Sequence, residues 1–504
     1  MSKFNSPSVG TKTENLAGGK AFTQTSELEL VSILLTSFVK DQHYRSADDT
    51  VVRLKELIKK CNKEFVAKAG IYARTQIGMR SITHVLASEL AKHISGEEWA
   101  KNFYDKIIHR PDDMMEILSY HSTVNAKKGK NGKGVLTNAM RKGFSSAFNR
   151  YDAYALAKYR GEGKSIKLVD IVNAVRPIPT EKNSDALKKL IKGELISTDT
   201  WESQLTKAGQ ISKDKEELRK AKEKVWTGLI KDKQLKAFAL LRNLRNILEQ
   251  APSMVDEACE LLTDENRIKK SLILPFRYVS ALREIEKISD SNARKVIKAL
   301  NRAVDISCAN VPKFDGKTLV AIDVSGSMDD IVAGNEMSRR TIATLFAVIM
   351  AKRNDADIMI FGDNAKLVSF NSDDSTLSIV SKIDGYNKGG WGSTSRDGYN
   401  VGHGTSYNAC FDSAKEKYER ILFFSDGQGW VGGGAPTETF AKYRQRTGAK
   451  PFIYSVDLAG YGTMMFPQNN VFCLAGFSDK IFTLMGYLET DKQAMINEIL
   501  KIEL

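Results

Sequence analysis

The sequence predicts a two-part chain, an α-helical solenoid followed by an open, mostly parallel α/β sheet. Three observations predict it. From about residue 26 to 308, apolar residues recur at helical spacing with almost no strand-like alternation. After residue 317, short apolar runs alternate with helical stretches, the pattern of a parallel sheet covered by helices. The charge divides at the same place. Residues 316–504 hold 19 Lys+Arg against 22 Asp+Glu, a net of −3, which leaves 56 against 39, a net of +17, in residues 1–315.

The helical elements follow in order. Leu28, Leu30, Val31, Ile33, Leu34 and Leu35 form one apolar group, and Val51, Leu54, Leu57 and Ile58 a second at i, i+3, i+4 spacing. Amphipathic stretches recur at 65–74, 82–94, 114–121, 135–148, 153–159, 226–248 and 271–288. Helix pairs with short connections predict a solenoid, without a fixed-length sequence repeat. The run 127–134 (KKGKNGKG) reads as a basic loop. In the second part, strands are expected at 318–324, 358–362, 367–370, 421–425, 452–456 and 471–474. Helices are expected at 337–352, 377–383, 406–418, 438–446 and 480–488. The run 318–324 (TLVAIDV) is apolar throughout, as in a buried parallel strand. In such sheets ligands bind at the carboxyl ends of the strands.

The composition excludes several classes. With 42% hydrophobic and 27% charged residues, the 504-residue chain is globular rather than disordered. Cys61, Cys259, Cys308, Cys410 and Cys473 are too dispersed for a CxxC zinc site or a disulfide framework, so a reducing, cytoplasmic setting is expected. No apolar run is long enough to cross a bilayer, and residues 1–15 carry no secretory signal. The six histidines form no HExxH pair, and neither a phosphate loop nor a GxSxG elbow is present, so no enzyme is expected. The positive excess in residues 1–315 points first to a polyanion, with a solubilising lysine surface as the plainer alternative.

Strand 318–324 runs into Asp323-Val324-Ser325-Gly326-Ser327. One carboxylate and two hydroxyls at alternate positions, with Gly326 to let the turn close, make a set of hard oxygen donors. Thr405 opens a helix after a glycine-rich loop, and Asp426 ends the strand 421–425. Such a set suits Mg²⁺, with Mn²⁺ as the alternative.

The spacing Asp-x-Ser-x-Ser with a distant Thr and a distant Asp resembles the metal-ion-dependent adhesion site of von Willebrand factor A domains. The resemblance implies that Asp323, Ser325, Ser327, Thr405 and Asp426 hold the metal directly or through water, with an open position for an acidic group of a partner. The segments Asn15-Leu16-Ala17-Gly18-Gly19-Lys20-Ala21-Phe22, 71–80 (IYARTQIGMR), 154–160 (YALAKYR), 240–248 (LLRNLRNIL), 274–277 (LPFR) and Val311-Pro312 follow in an order similar to the Ro autoantigen family. That resemblance implies HEAT-like repeats of a TROVE module over 26–315, closed into a ring by a von Willebrand A-type α/β domain over 316–504, with residues 1–25 packing on the ring.

The family binds RNA in two ways, and both carry over only as expectations. A small structured RNA, Y RNA, sits on the outer surface, and single-stranded 3′ ends of misfolded non-coding RNA enter a basic central hole. The resemblance places RNA contacts at Arg141, Lys142, Lys158, Arg160 and Arg176. Where the family usually carries a histidine, Val175 stands here, beside Arg176. The function implied is a monomeric ribonucleoprotein scaffold for non-coding RNA quality control, working in bacterial relatives with an exoribonuclease, polynucleotide phosphorylase. The competing reading is a metal-dependent protein-binding adaptor.

Overall fold

The computed structural model describes residues 12–15, 20–23, 25–36, 47–124, 136–195, 201–210, 214–271, 273, 275–309, 311–332, 337–387, 398–429, 431, 436–459, 461, 463–465, 471–475, 481–482, 485–486, 489 and 494–504. The basic run 127–134 lies outside them, as do most of residues 1–25 and much of the helix expected at 480–488.

Helices fill the first part. Ser26–Thr36 packs on Ala47–Lys60, which packs on Ser81–Leu90, and Ser81–Leu90 in turn packs on Pro111–Val124. Ala100–Ile107 and Asn138–Ala147 cross closely, because Gly143 has no side chain. A Cβ there would stand 2.5 Å from the carbonyl oxygen of Lys101. Asn138–Ala147 also packs on Leu168–Val175. The later helices culminate in Pro275–Glu286 and Ser291–Cys308, which lie against each other.

One expected helix is broken. The stretch 226–248 divides into the end of Lys215–Lys231, then Ala237–Arg242 and Leu244–Gln250. Lys233 takes a left-handed backbone (φ 54°), which stops the first. Asn243, buried between the other two, donates from Nδ2 to the Ala239 carbonyl (2.8 Å) and accepts from Asn246 Nδ2 (2.9 Å). Its side chain thus competes with the helix ladder.

The second part is a six-stranded sheet of β3 (Thr318–Asp323), β4 (Ala356–Phe361), β5 (Ala365–Val368), β6 (Arg420–Ser425), β7 (Phe452–Asp457) and β9 (Val471–Ala475), in the order β5-β4-β3-β6-β7-β9. All neighbours are parallel except β4 and β5. The expected strands are all present, with ends moved by at most two residues. Both faces are buried, which explains the unbroken apolar runs. Leu319 and Ala321 of β3 face one core with Phe411, Phe440 and Tyr443, whereas Val320 and Ile322 face another that continues into the helical part. Helix Tyr407–Ser413 ends five residues earlier than expected, where Arg446 donates to the carbonyls of Phe411 (2.8 Å) and Ala414 (2.7 Å). A small sheet missed by the pattern joins β1 (Lys12–Glu14) and β2 (Lys20–Thr23) to β8 (Thr463–Met464).

The α/β part touches both ends of the helical array. Pro275–Glu286 and Ser291–Cys308 pack on Arg339–Arg353, and Ser375 Oγ donates to Asn301 Oδ1 (2.9 Å). At the other end, β9 meets Ser26–Thr36, and helix Ala494–Leu500 packs on Lys63–Tyr72. There Lys68 Nζ donates to the Leu500 carbonyl (3.1 Å) and Lys106 Nζ to that of Glu503 (2.9 Å). Among the described residues no helix is long and apolar enough to cross a membrane.

Candidate functional site

The five residues expected to hold a metal lie at the carboxyl ends of β3 and β6 and in the loop beside them. β3 sits between β4 and β6, with Ile322 in register with Phe424. Asp323 and Asp426 therefore leave the sheet side by side. The Ser325 N–H donates to Asp323 Oδ1 (2.9 Å), and the Ser325 and Ser327 hydroxyls are 3.4 Å apart. Ser327 lies in the short turn Gly326–Asp329, where its carbonyl accepts from Arg339 (3.0 Å). Thr405 is held by its neighbours. His403 accepts from the Gly326 N–H (3.4 Å), and the Ser406 N–H donates to the Gly362 carbonyl (2.7 Å). That close approach needs glycine, since a Cβ at 362 would overlap the Gly402 carbonyl.

All five are buried, none more than 4% exposed. Burial, and then the like charge of Asp426, raise the Asp323 carboxyl well above the ordinary carboxylate range. Among the described residues no Lys or Arg stands in ion-pair range of Asp323. Two carboxylates thus share a buried space ringed by hydroxyls. Among the described residues no group of three or more His, Cys, Asp or Glu is placed to hold a metal, so the donor set here is hydroxyl-rich. Such a set fits a hard divalent cation, whose charge would offset that of Asp323. Sequence reasoning missed Ser425, whose Oγ donates to Asp323 Oδ2 (2.6 Å) and accepts from the Gly427 N–H (3.1 Å). A hydroxyl one residue before the strand-end acid was the available signal.

The cations expected to face RNA behave unequally. Arg141 and Lys142 are exposed on Asn138–Ala147, whose opposite face buries Met140 and Phe144. Arg176 is exposed just past Leu168–Val175, which packs on that helix, and it holds a left-handed backbone (φ 48°). Lys158 is exposed 5.6 Å from the Tyr154 ring centroid. Arg160 is more enclosed than the other four. Its guanidinium donates to the Leu195 carbonyl and pairs with Glu162 (2.7 Å), so it is half-buried and its donors are engaged. Val175 is only 6% exposed and belongs to the core, so Arg176 is the side chain presented there.

The TROVE domain matches residues 29–217 and 194–352 of this chain. Telomerase protein component 1 of Mus musculus is 24% identical over 342 residues, which cover 53% of this chain and 13% of that protein. RNA-binding protein RO60 of Caenorhabditis elegans is 24% identical over 283 residues, covering 53% of this chain and 42% of that one. The chain thus spans less than half the length of either relative. Among solved structures, the Ro protein of Deinococcus radiodurans superposes with a TM-score of 0.60 at 16% identity, covering 93% of this chain and all of that one, a likeness of fold. With well over half its residues inside the TROVE match, the chain belongs to the TROVE-domain family.

Proposed function

We propose that this protein is an RNA-binding ribonucleoprotein scaffold. The observation that carries the reading is the split of charge along the chain, +17 in residues 1–315 against −3 in residues 316–504. Phosphate neutralisation by Lys and Arg gives affinity without sequence preference. The presentation of Arg141, Lys142 and Arg176 on packed neighbouring helices supports a structured RNA, of Y RNA type, on that surface. The contacts of the α/β part with both ends of the helical array support a closed ring, whose hole would admit single-stranded ends of misfolded RNA. Quality control of non-coding RNA beside an exoribonuclease is the cellular role this implies.

The α/β part carries a second reading, favoured by the buried site. It acts as a von Willebrand A-type domain in which Asp323, Ser325, Ser327, Thr405 and Asp426 would hold Mg²⁺ or Mn²⁺. When bound, the cation supplies a Lewis-acidic open position for a partner's carboxylate. Asp323 anchors the charge, Ser425 orients it, and the serines leave room for water. This is the adaptor function, here joined to RNA binding rather than replacing it.

Two outcomes test the RNA reading. Purified protein should shift structured and single-stranded RNA at low salt, with log K falling by about 0.7 per contacted phosphate on a single strand. Failure to shift any RNA at low salt ends the proposal. The double variant Arg141→Ala, Lys142→Ala should weaken structured RNA binding at least tenfold, taking about 1 kcal/mol per lost cation–phosphate contact. Its fold should survive, since exposed cations add little stability. Equal affinity of double variant and parent removes this surface from the interface.

A further inference from the structure

Three consecutive residues at the start of one helix join the metal turn to the helical part. Helix Arg339–Arg353 opens with Arg339 and Arg340, which are 4% and 1% exposed. Two cations in a first turn meet the positive end of the helix dipole, and burial adds to the cost. Capping needs neither of them, because the Ser338 hydroxyl already accepts from the Thr341 N–H (3.1 Å). Both are held by residues 327–330 instead. Arg339 donates to the Ser327 carbonyl (3.0 Å) and to Asp330 (2.9 Å). Arg340 pairs with Asp329 and donates to the Tyr386 carbonyl (3.4 Å). Its Nε, also buried, has no hydrogen-bond partner among the described residues.

Thr341, the next residue, reaches the junction with the helical part. Its hydroxyl donates to Asp384 (3.1 Å), the last residue of helix Thr376–Asp384, and accepts from Arg283 (3.4 Å) of Pro275–Glu286. The other end of Thr376–Asp384 is held by Ser291–Cys308, where Asp305 accepts from the Thr376 N–H (3.0 Å). A cavity of about 680 Å³ opens beside these contacts, lined by Val279, Leu282, Arg283, Thr341, Leu377 and Asp384 among others. Close packing is interrupted there, so the polar contacts carry a larger share of the joint.

We propose that residues 339–341 couple the metal site to helices Pro275–Glu286 and Ser291–Cys308, so that metal occupancy and a tight junction favour one another. The coupling rests on the metal reading above and names its regulation. When Ser325 and Ser327 converge on a divalent cation, the turn Gly326–Asp329 is fixed. Arg339 and Arg340 grip that turn, and the backbone ties them to Thr341. Order gained in the turn is thus passed to Asp384 and Arg283. Such coupling is reciprocal, so a change made at the junction must appear in the metal affinity. It ends at the junction and leaves the surface of Arg141, Lys142 and Arg176 outside it.

The test uses the full chain, with calorimetric titration of Mg²⁺ and Mn²⁺ and amide hydrogen exchange read by mass spectrometry. Thr341→Val keeps the shape of the side chain and removes its hydroxyl. Neither Thr341 nor Arg283 is among the metal donors. Thr341→Val and Arg283→Met should each weaken metal binding, Thr341→Val by about tenfold. Thr341→Ser should restore it. In the parent, Mg²⁺ should slow exchange of the 275–286 amides by a similar factor. That effect should be lost in Thr341→Val and absent in Asp323→Asn. Should Thr341→Val fail to fold, Arg283→Met decides, since its side chain belongs to the other part of the chain. Parent-like metal affinity in both variants, or exchange in 275–286 that ignores Mg²⁺, overturns the coupling while the metal reading stands. Slowed exchange in Asp323→Asn overturns it too, because the cation would then act from elsewhere. If the parent binds neither metal, the metal reading fails and takes the coupling with it.

Discussion

Replacing Asp113 with Ala is expected to destabilise the helical part by about 3–5 kcal/mol, the cost of breaking a buried ion pair from one side. Asp113 is fully buried in helix Pro111–Val124. Its carboxylate accepts from Arg74 (2.7 Å) and from the backbone N–H groups of His109 (3.0 Å) and Arg110 (2.9 Å), and His84 Nε2 lies 2.9 Å away. Arg74 is itself only 4% exposed and sits in the π-turn Ala73–Ile77. Truncation leaves that guanidinium buried without its counter-ion. Burial opposes the charged carboxylate, but the His84 hydrogen bond and the Arg74 charge prevail and hold its pKa well below the ordinary range. The sign follows from that depression. The contribution is fully present above the unfolded carboxyl pKa, about 4, and is lost as pH falls below it toward the native value. Urea unfolding followed by circular dichroism at pH 7 and at pH 3 measures both. A loss under about 1 kcal/mol at pH 7, or an equal gap between parent and variant at the two pH values, contradicts the account.

Asp323→Ala should abolish Mg²⁺ and Mn²⁺ binding in a calorimetric titration, whereas Ser325→Ala should weaken it. Asp323 supplies the charge and Ser325 a neutral oxygen that water can replace. Because Asp323 also accepts from Ser325 and Ser425, Asp323→Asn is the companion variant that removes the charge while keeping the side chain's size and one acceptor oxygen. A ligand that binds the folded state alone raises stability, by about 2.7 kcal/mol at one hundred times its Kd. The parent should therefore gain thermal stability on adding Mg²⁺, and Asp323→Asn should gain none. RNA binding should be unchanged in all three variants, since the positive excess lies in the other part of the chain. Undiminished metal affinity in Asp323→Ala would reduce the turn to a capped strand-to-helix connection.

The placing of Asp323 and Asp426 at neighbouring strand ends was legible because strands buried on both faces announce themselves as unbroken apolar runs. Asp323, Ser325 and Ser327 are also contiguous, so one turn carries their relation. The partners of Arg160 were not legible because they are a backbone carbonyl at Leu195 and a neighbouring carboxylate, and a sequence records a charge without recording where it is spent. The break at Asn243 was invisible because apolar periodicity runs straight through it. Only the side chain's bonds to its own segment reveal the interruption. The Asp113 network draws on a π-turn, a helix and a loop, so no one segment contains it. The β1-β2-β8 sheet uses strands of two to four residues, too short for any alternation to register.

The seating of helix Ala494–Leu500 on Lys63–Tyr72 has a consequence in time. Lys68 and the carbonyl it holds are 432 residues apart in the chain. At about 5–20 residues per second, a ribosome needs roughly 20–90 s to travel between them. Throughout that interval the first helices have been made while the face of Lys63–Tyr72 that receives helix Ala494–Leu500 waits for its partner, a nascent-chain exposure.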